Sequence, residues 1–227
     1  MDSGRKICFM DTENTSAQQP FERITPPSAG TMACKRLFDI ICAALGLIVL
    51  SPLLLVVSLL VGITSPGGVF FRQERIGKDG KPFRIFKFRS MRKDNAGLKI
   101  TTGNDSRITP VGRFLRKSKI DELPQLINVL VGDMSFVGPR PEVADYVDLY
   151  TPYQRQVLQV RPGITGIASI RFRNENDLLT ASDDPNRTYI EEIMPRKIRL
   201  DLEYIPHASV PYDIKLIFQT LGAVIKE

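Results

Sequence analysis

The segment Ile40–Phe71, IICAALGLIVLSPLLLVVSLLVGITSPGGVFF, contains no charged residue and decides the fold of this chain. A helix rises about 1.5 Å per residue, so Ile40–Leu50 alone covers roughly half of a hydrocarbon core about 30 Å thick, and only the unbroken run could cross it. Pro52 removes one backbone N–H and clashes with the carbonyl four residues earlier, which predicts a kink at the midpoint. Ser51 can hydrogen-bond a carbonyl that is freed there.

Basic residues flank the apolar segment on both sides. Lys35 and Arg36 precede it, and four more follow it: Arg72, Arg75, Lys78 and Lys81. Because positively charged flanks stay on the cytoplasmic side, both ends are expected on that side. We therefore predict a re-entrant helix–break–helix over residues 34–68, which enters and leaves the membrane by the same face. A single kinked transmembrane anchor is the alternative.

Composition narrows the class of protein. The 227 residues suffice for one domain with appendages, and the mean hydropathy of −0.07 excludes a polytopic membrane protein. The 31 Lys and Arg outnumber the 25 Asp and Glu, which favours an anionic partner. The absence of Trp argues against single-stranded nucleic acid, and we expect no nucleic-acid partner. Three cysteines without CxxC spacing and a lone His207 exclude a disulfide framework and a zinc site.

The remaining pattern predicts a helix-rich α+β fold within the broad α/β class. Residues 1–33 lack periodicity and are expected to form a flexible tail. Residues 69–227 should form one domain at the membrane surface, with a small β-hairpin between Phe70 and Lys93 and several amphipathic surface helices. Helices are predicted from Thr109-Pro110, over Ala144–Val160 and through the periodic C-terminal stripe.

The stretch Ser118–Gln125, SKIDELPQ, is the strongest candidate for chemistry. Pro124 is tolerated only in the first turn of a helix, so Asp121 and Glu122 are expected at a helix N-terminus, which favours ionised carboxylates. An ionised Asp121 near several Arg and Lys residues would suit a nucleophile toward phosphorus or a Mg²⁺ ligand. These residues alone leave open that Asp121 only caps its helix.

A second stretch, Gly132–Pro141 or GDMSFVGPRP, predicts a loop whose glycines allow close backbone approach to a ligand. Arg140, between two prolines, has a planar guanidinium group suited to a phosphate or a uracil edge. A structural loop with a solvated arginine would have the same pattern.

Several stretches in this order together resemble one family. They are Lys35–Asp39 (KRLFD), Ser51-Pro52, Arg72–Gly77 (RQERIG), Phe86–Met91 (FKFRSM), Asp121–Gln125 (DELPQ), Met134–Pro141 (MSFVGPRP) and Arg161–Gly166 (RPGITG). From Lys35 to the C-terminus, the chain is similar to the bacterial sugar transferases, the monotopic phosphoglycosyl transferases, in their minimal catalytic form.

The resemblance implies an activity and its residues. A sugar-1-phosphate would pass from a UDP-sugar to undecaprenyl (polyprenyl) phosphate with release of UMP, through an aspartyl-phosphosugar on Asp121. Glu122 would be the acid/base partner, and Mg²⁺ would bind at Asp121. The implied substrate-binding residues are Lys35 and Arg36 at the headgroup, Lys87, Arg89 and Arg116 near the phosphates, and Pro139, Arg140 and Pro141 on the nucleotide side.

The resemblance also implies a setting. The domain would work on the cytoplasmic face of a bacterial inner membrane, in contact with lipid, at the first membrane step of exopolysaccharide, O-antigen or glycoprotein glycan synthesis. A homodimer is left open.

This chain departs from the family pattern after Arg161–Gly166. Many members continue with WAQVNGR, whereas this chain has Ile167–Arg173 and then an insert over residues 174–197, so the sugar is undetermined. By the resemblance, the sequence is expected to be the minimal catalytic form, without the multi-span N-terminal module of the longer members. Two rival functions remain: a Mg²⁺-dependent nucleotide-sugar diphosphate hydrolase with the same carboxylates, and a non-enzymatic basic membrane adaptor that needs neither.

Overall fold

A computed structural model describes residues 23–65, 67–92 and 107–225. Most of the predicted tail lies outside the described residues. Helix α1, Ala29–Thr64, begins before the predicted start at residue 34, with Ser28 as its N-cap. By length and composition α1 is the one helix of the described chain that could cross a membrane.

Helix α1 continues through Pro52, so the predicted break into two helices does not appear in the backbone. The proline leaves the Ile48 carbonyl without its usual donor, and Ser51 Oγ donates to that carbonyl at 2.7 Å. The predicted role of Ser51 is therefore confirmed, and this bond helps the helix to pass the proline.

Strands β1 (Phe70–Ile76) and β2 (Pro82–Phe88) form the predicted antiparallel hairpin. A 3₁₀ turn, Lys78–Gly80, joins them, and Asp79 and Gly80 have φ angles of 58° and 74°. These left-handed conformations suit an Asp-Gly pair, which is why this dipeptide predicted the turn.

Helix α2 (Pro110–Lys117) starts as predicted, since the Thr109 hydroxyl accepts a hydrogen bond from Gly112 N at 2.9 Å. A 3₁₀ turn, Ile120–Glu122, follows it and leads through Pro124 into helix α3 (Gln125–Val131). Helix α3 packs on α1 and on β2. The 3₁₀ turn that carries the two carboxylates contacts α2 and the hairpin strand β2.

A second sheet interrupts the predicted Gly132–Pro141 loop. Strand β3 (Ser135–Val137) pairs in parallel with strand β4 (Gly163–Thr165). A Cβ added at Gly138 would lie 2.4 Å from the Arg161 carbonyl oxygen, so this glycine is required where two backbones meet. The close approach predicted for a ligand is thus used by the chain itself at Gly138.

The predicted helix over Ala144–Val160 is wrong. Helix α4 covers only Ala144–Val147, and a 3₁₀ segment, Gln154–Gln159, follows after Thr151-Pro152. Pro152 has no N–H to continue the helical hydrogen bonds, and the residue before a proline avoids the helical conformation.

The C-terminal part is helical. It contains α5 (Ile167–Arg171), α6 (Glu175–Thr180), α7 (Pro185–Thr188), a π-helical turn at Tyr189–Ile193, α8 (Met194–Tyr204) and the predicted C-terminal helix α9 (Val210–Ile225). Its largest buried cluster gathers residues from α4, the 3₁₀ segment, the π-turn and α8. With two small sheets among many helices, the described chain confirms the helix-rich α+β class.

Candidate active site

Three side chains from separate elements meet at one carboxylate oxygen. Glu122 Oε1 accepts from Lys87 Nζ at 2.8 Å and from Arg140 Nη2 at 3.1 Å. Lys87 comes from β2, Glu122 from the 3₁₀ turn and Arg140 from the loop after β3. The structure therefore brings together three of the residues that the resemblance implied, and it does so through Glu122.

Asp121 lies next to this ion-pair cluster and is only 8% exposed. Its Oδ1 atom is buried without a hydrogen-bond partner among the described residues. Burial first, and then the negative charge of Glu122, raise the pKa of Asp121 to about 6, against the opposing charges of Lys87, Arg116 and Lys119. The sequence predicted a helix N-terminus that favours the ionised form of Asp121. That prediction is wrong in direction, because desolvation raises the pKa of this carboxyl group.

Asp121 does not cap helix α3. The N-cap position of α3 is Pro124, and no side chain makes a cap hydrogen bond there. The alternative that Asp121 is only a helix cap is therefore wrong. A buried carboxylate oxygen without a partner is costly, which points to a use outside the fold.

Glu122 has the opposite electrostatic environment. Burial would raise the pKa of its carboxyl group, but the charges of Arg140 and Lys87 outweigh burial and hold the pKa well below its usual range. Glu122 also raises the pKa of Arg140. Glu122 is thus a carboxylate at neutral pH, which suits an anchor for two cations better than the acid/base role implied by the resemblance.

Asn128 holds this arrangement, and the sequence analysis missed it. Its Oδ1 accepts from Phe86 N at 2.9 Å, and its Nδ2 donates to Arg84 O at 2.9 Å. These bonds fix β2 on α3, and so fix Lys87 relative to Glu122. The available signal was an amide side chain in the middle of the apolar helix QLINVLV, since a buried amide needs specific partners.

The back of the Arg140 loop is fixed by Glu142. Glu142 accepts a short hydrogen bond from Tyr189 OH and forms an ion pair with Arg75 at 3.4 Å. Arg75 also donates to Pro141 O at 3.2 Å. A small cavity of about 20 Å³ lies behind Pro139, Arg140 and Pro141. The two prolines restrict the backbone of this loop. Gly163 N also donates to Pro139 O at 2.8 Å.

Lys35 and Arg36 have different surroundings from those predicted. Lys35 Nζ is buried in an ion pair with Asp213 and donates to Val137 O at 3.0 Å. Arg36 donates to Val129 O at 2.5 Å and to Leu130 O at 2.8 Å, at the end of α3. The enclosed ammonium group of Lys35 argues against the implied headgroup contact, and Arg36 caps the C-terminal end of α3.

Arg89 directly follows strand β2, and Arg116 lies near the end of helix α2. Arg89 donates to Phe70 O at 3.2 Å, and Arg116 contacts Met91 Sδ at 3.3 Å. Arg116 lowers the pKa of Asp121, so its charge acts on the candidate nucleophile. The contact of Arg89 is with the hairpin backbone.

The side chains available as ligands limit how a metal ion could bind. Among the described residues, no group of three or more His, Cys, Asp or Glu could hold a metal ion. The unpartnered Asp121 Oδ1 can serve as one oxygen ligand. Mg²⁺ commonly binds through one or two carboxylates, substrate phosphates and water, so the residues fit a Mg²⁺ that is shared with a diphosphate.

The structure places an unpartnered, buried carboxylate beside two anchored cations, in a chain with a long apolar helix, and this arrangement suits chemistry on an anionic substrate. Comparison with known proteins makes this specific: residues 30–227 match the family described as bacterial sugar transferase. The chain belongs to this family. Membership of a sugar transferase family argues against the adaptor alternative.

Named relatives carry related descriptions. The UDP-glucose:undecaprenyl-phosphate glucose-1-phosphate transferase of Escherichia coli is 44% identical over 87% of this chain. The UDP-N-acetylgalactosamine-undecaprenyl-phosphate N-acetylgalactosaminephosphotransferase of Aeromonas hydrophila is 38% identical over 84%. The exopolysaccharide production protein PSS of Rhizobium leguminosarum is 40% identical over 86% of this chain and 96% of its own length. The chain spans only 41% of the Escherichia coli relative and 43% of the Aeromonas one.

Proposed function

We propose that this protein transfers a sugar-1-phosphate from a UDP-sugar to undecaprenyl phosphate and releases UMP. The substrates follow from the relatives, whose names specify a UDP-sugar donor and an undecaprenyl phosphate acceptor. The relatives differ in the sugar, so the sugar of this chain stays open. The reaction would supply the lipid-linked sugar for a cell-surface glycan, and exopolysaccharide synthesis is favoured by the relative from Rhizobium.

One observation carries the proposed mechanism: the pairing of Glu122 with Lys87 and Arg140 leaves its neighbour Asp121 with an unpartnered, buried oxygen. A pKa of about 6 keeps most of Asp121 ionised at neutral pH. A desolvated carboxylate with a free lone pair is more reactive toward phosphorus than a paired one. Asp121 is therefore the proposed nucleophile.

The chemistry balances without a proton from Glu122. An Asp121 carboxylate oxygen attacks the sugar-bearing phosphorus, the bond from that phosphorus to the bridging oxygen breaks, and UMP leaves with the electron pair. An oxygen of undecaprenyl phosphate then attacks the same phosphorus, and the acyl phosphate bond breaks. Asp121 returns as a carboxylate. Because both leaving groups depart as anions, Glu122 serves to hold Lys87 and Arg140 in place.

The cations have distinct proposed roles. Arg140, 39% exposed at its side chain, would pair with a phosphate or the uracil edge of the nucleotide. Lys87 would face the transferred phosphoryl group, and Arg116 would add positive charge near Asp121. Mg²⁺ held by Asp121 and the diphosphate would neutralise the charge of the leaving group.

The membrane helix gives the reaction its location. Most of the large apolar side chains of α1 are exposed, including Ile48, Val49 and Ile63 at 69%, 74% and 83%. We propose that this surface lies in lipid, and that the basic residues on both flanks keep both ends on the cytoplasmic side of a bacterial inner membrane. A polyprenyl phosphate headgroup and a water-soluble nucleotide would then meet at the same depth.

The direct test supplies the purified protein with a panel of UDP-sugars, Mg²⁺ and undecaprenyl phosphate. With the acceptor in excess over the enzyme, the proposal expects equal amounts of UMP and of undecaprenyl phosphate that has gained a sugar-1-phosphate. Free sugar phosphate without lipid product would instead favour the nucleotide-sugar diphosphate hydrolase. A preparation chelated of divalent metal should be inactive and should recover with Mg²⁺.

A further inference from the structure

The loop that carries Arg140 is attached to the membrane helix by buried polar contacts. Lys35 Nζ, on a side chain only 6% exposed, donates to Val137 O at 3.0 Å and forms an ion pair with Asp213. The Tyr204 hydroxyl lies 2.6 Å from Asp213 Oδ1 and 3.3 Å from Val137 O. Since a hydroxyl has one proton, Tyr204 donates mainly to Asp213, and Lys35 is the principal donor to Val137.

Asp39 makes a second attachment one helical turn later. Its Oδ1 accepts from Phe136 N at 3.2 Å, and the residue is 1% exposed. Residues four apart lie on the same helix face, so Lys35 and Asp39 hold successive residues of β3 from one side of α1. Neither interaction is with solvent or with the exposed apolar surface of α1.

These attachments end close to the catalytic cluster. Val137 is followed by Gly138, whose N–H donates to Thr165 O at 3.0 Å, and then by Pro139 and Arg140. Close packing on the Arg161 backbone holds Gly138, and the proline ring and the hydrogen bond from Gly163 N hold residue 139, so a displacement of β3 is carried toward Arg140. Arg140 in turn reaches Glu122 at 3.1 Å.

We propose that Lys35, Asp39 and Asp213 are positioning residues that set the place of Arg140 through strand β3. Under this proposal, which rests on the proposed function, the membrane helix contributes to nucleotide-sugar binding as well as to anchoring. The role differs from a headgroup contact of Lys35, which would act on the lipid acceptor. The two roles therefore affect the Michaelis constants of different substrates.

The first experiment removes the buried pair as a unit. Lys35→Met with Asp213→Leu leaves no uncompensated charge, so the fold should survive. In this double variant the Tyr204 hydroxyl is released from Asp213 and can donate to Val137 O instead. Adding Tyr204→Phe removes that substitute. We expect the KM for the UDP-sugar to rise roughly threefold to tenfold in the triple variant and less in the double variant, with an unchanged KM for undecaprenyl phosphate.

A matched control and a second variant pair keep the test decisive. Tyr212 stacks on Tyr204 with ring centroids 5.8 Å apart, and its hydroxyl has no hydrogen-bond partner in the described chain, so Tyr212→Phe should leave both constants unchanged. Asp39→Leu should raise the KM for the UDP-sugar, and Asp39→Asn, whose side-chain oxygen still accepts from Phe136 N, should not. This pair stands independently if the triple variant does not fold.

The outcomes separate the inference from the proposed function. A wild-type protein that transfers no sugar phosphate overturns the proposed function. With an active wild type, a raised KM for undecaprenyl phosphate alone would establish the headgroup contact and overturn positioning. Unchanged Michaelis constants, or a fall in kcat alone, in both the triple variant and Asp39→Leu would also overturn it.

Discussion

Asp121 and Glu122 are adjacent in one 3₁₀ turn, yet their carboxyl groups have opposite pKa shifts. Burial acts on both, since Asp121 is 8% exposed and the Glu122 side chain 15%. Glu122 is compensated by Lys87 and Arg140, which lower its pKa, whereas the pKa of Asp121 rises to about 6. The two cations paired with Glu122 therefore explain why the two pKa values shift in opposite directions. Glu122 holds the two cations in place, and Asp121 keeps a lone pair available for a substrate.

The first prediction concerns pH. Because the nucleophile must be deprotonated, kcat/KM for the UDP-sugar should fall tenfold per pH unit below an acid limb near pH 6, the pKa of Asp121. Steady-state rates between pH 4.5 and 8, with the protein checked for reversible recovery at pH 7, measure this limb. A limb near the ordinary aspartate value would contradict the buried, raised-pKa nucleophile.

The second prediction concerns Glu122→Gln. The variant leaves Lys87 and Arg140 without their shared anion, and misplaced cations should lower kcat/KM by roughly a hundredfold. Since the Glu122 charge raises the pKa of Asp121, the acid limb should also move to lower pH. The control is Glu142→Gln, which alters the back of the loop without changing the charge beside Asp121. If the acid limb stayed fixed in Glu122→Gln, the electrostatic link between the carboxylates would be refuted.

Local sequence patterns predicted the elements that depend on local physics. The Asp79-Gly80 pair predicted the hairpin turn and Thr109-Pro110 predicted the start of α2, and the structure confirms both. The apolar run predicted a helix, which the structure shows as α1 without the predicted break. Each signal acts within a few residues: a turn conformation, a cap, or a periodic apolar face.

Features that depend on distant contacts were not predictable in the same way. The pairing of β3 with β4 involves strands of three residues each, too short for a periodic pattern. The burial of Lys35 depends on Asp213, far away in the sequence. The raised pKa of Asp121 depends on desolvation, which no spacing encodes. The resemblance implied Lys87, Glu122 and Arg140 as site residues, but it did not predict that both cations pair with Glu122.

The third prediction concerns topology, which stays a prediction. In a variant without native cysteines, Thr25→Cys and Lys81→Cys introduce labels at exposed positions before and after the apolar segment. A re-entrant helix protects both from an impermeant thiol reagent in intact cells. Lysed cells serve as the control, in which both should react. Labelling of one position only in intact cells would establish a spanning helix. Pro52→Ala should shift the protein toward that outcome, since the proline's effect on the helix is lost.

The fourth prediction concerns the stability of Asp121→Asn. The unfolded chain ionises this carboxyl near the ordinary value of 3.8, and the folded chain only near 6. As pH rises between these values, the unfolded state releases its proton first, so stability is lost and the loss persists above pH 6. Asp121→Asn should therefore raise the free energy of unfolding at pH 7.5 by on the order of 1–2 kcal/mol, with little effect below pH 4. Thermal unfolding in detergent across pH measures it.

The same variant tests the covalent step. Asp121→Asn keeps the shape of the side chain but removes the attacking charge, so the variant should fold, bind the UDP-sugar and produce neither UMP nor lipid product. Wild type incubated with UDP-sugar and no acceptor should release a burst of UMP equal to the enzyme present. Its mass should increase by one phosphosugar, located on the peptide that contains Asp121. If Asp121→Asn kept substantial turnover, or the added mass lay on another peptide, direct transfer to the lipid would replace the covalent mechanism. A more stable but inactive variant would instead identify Asp121 as a residue kept for chemistry at the expense of the fold.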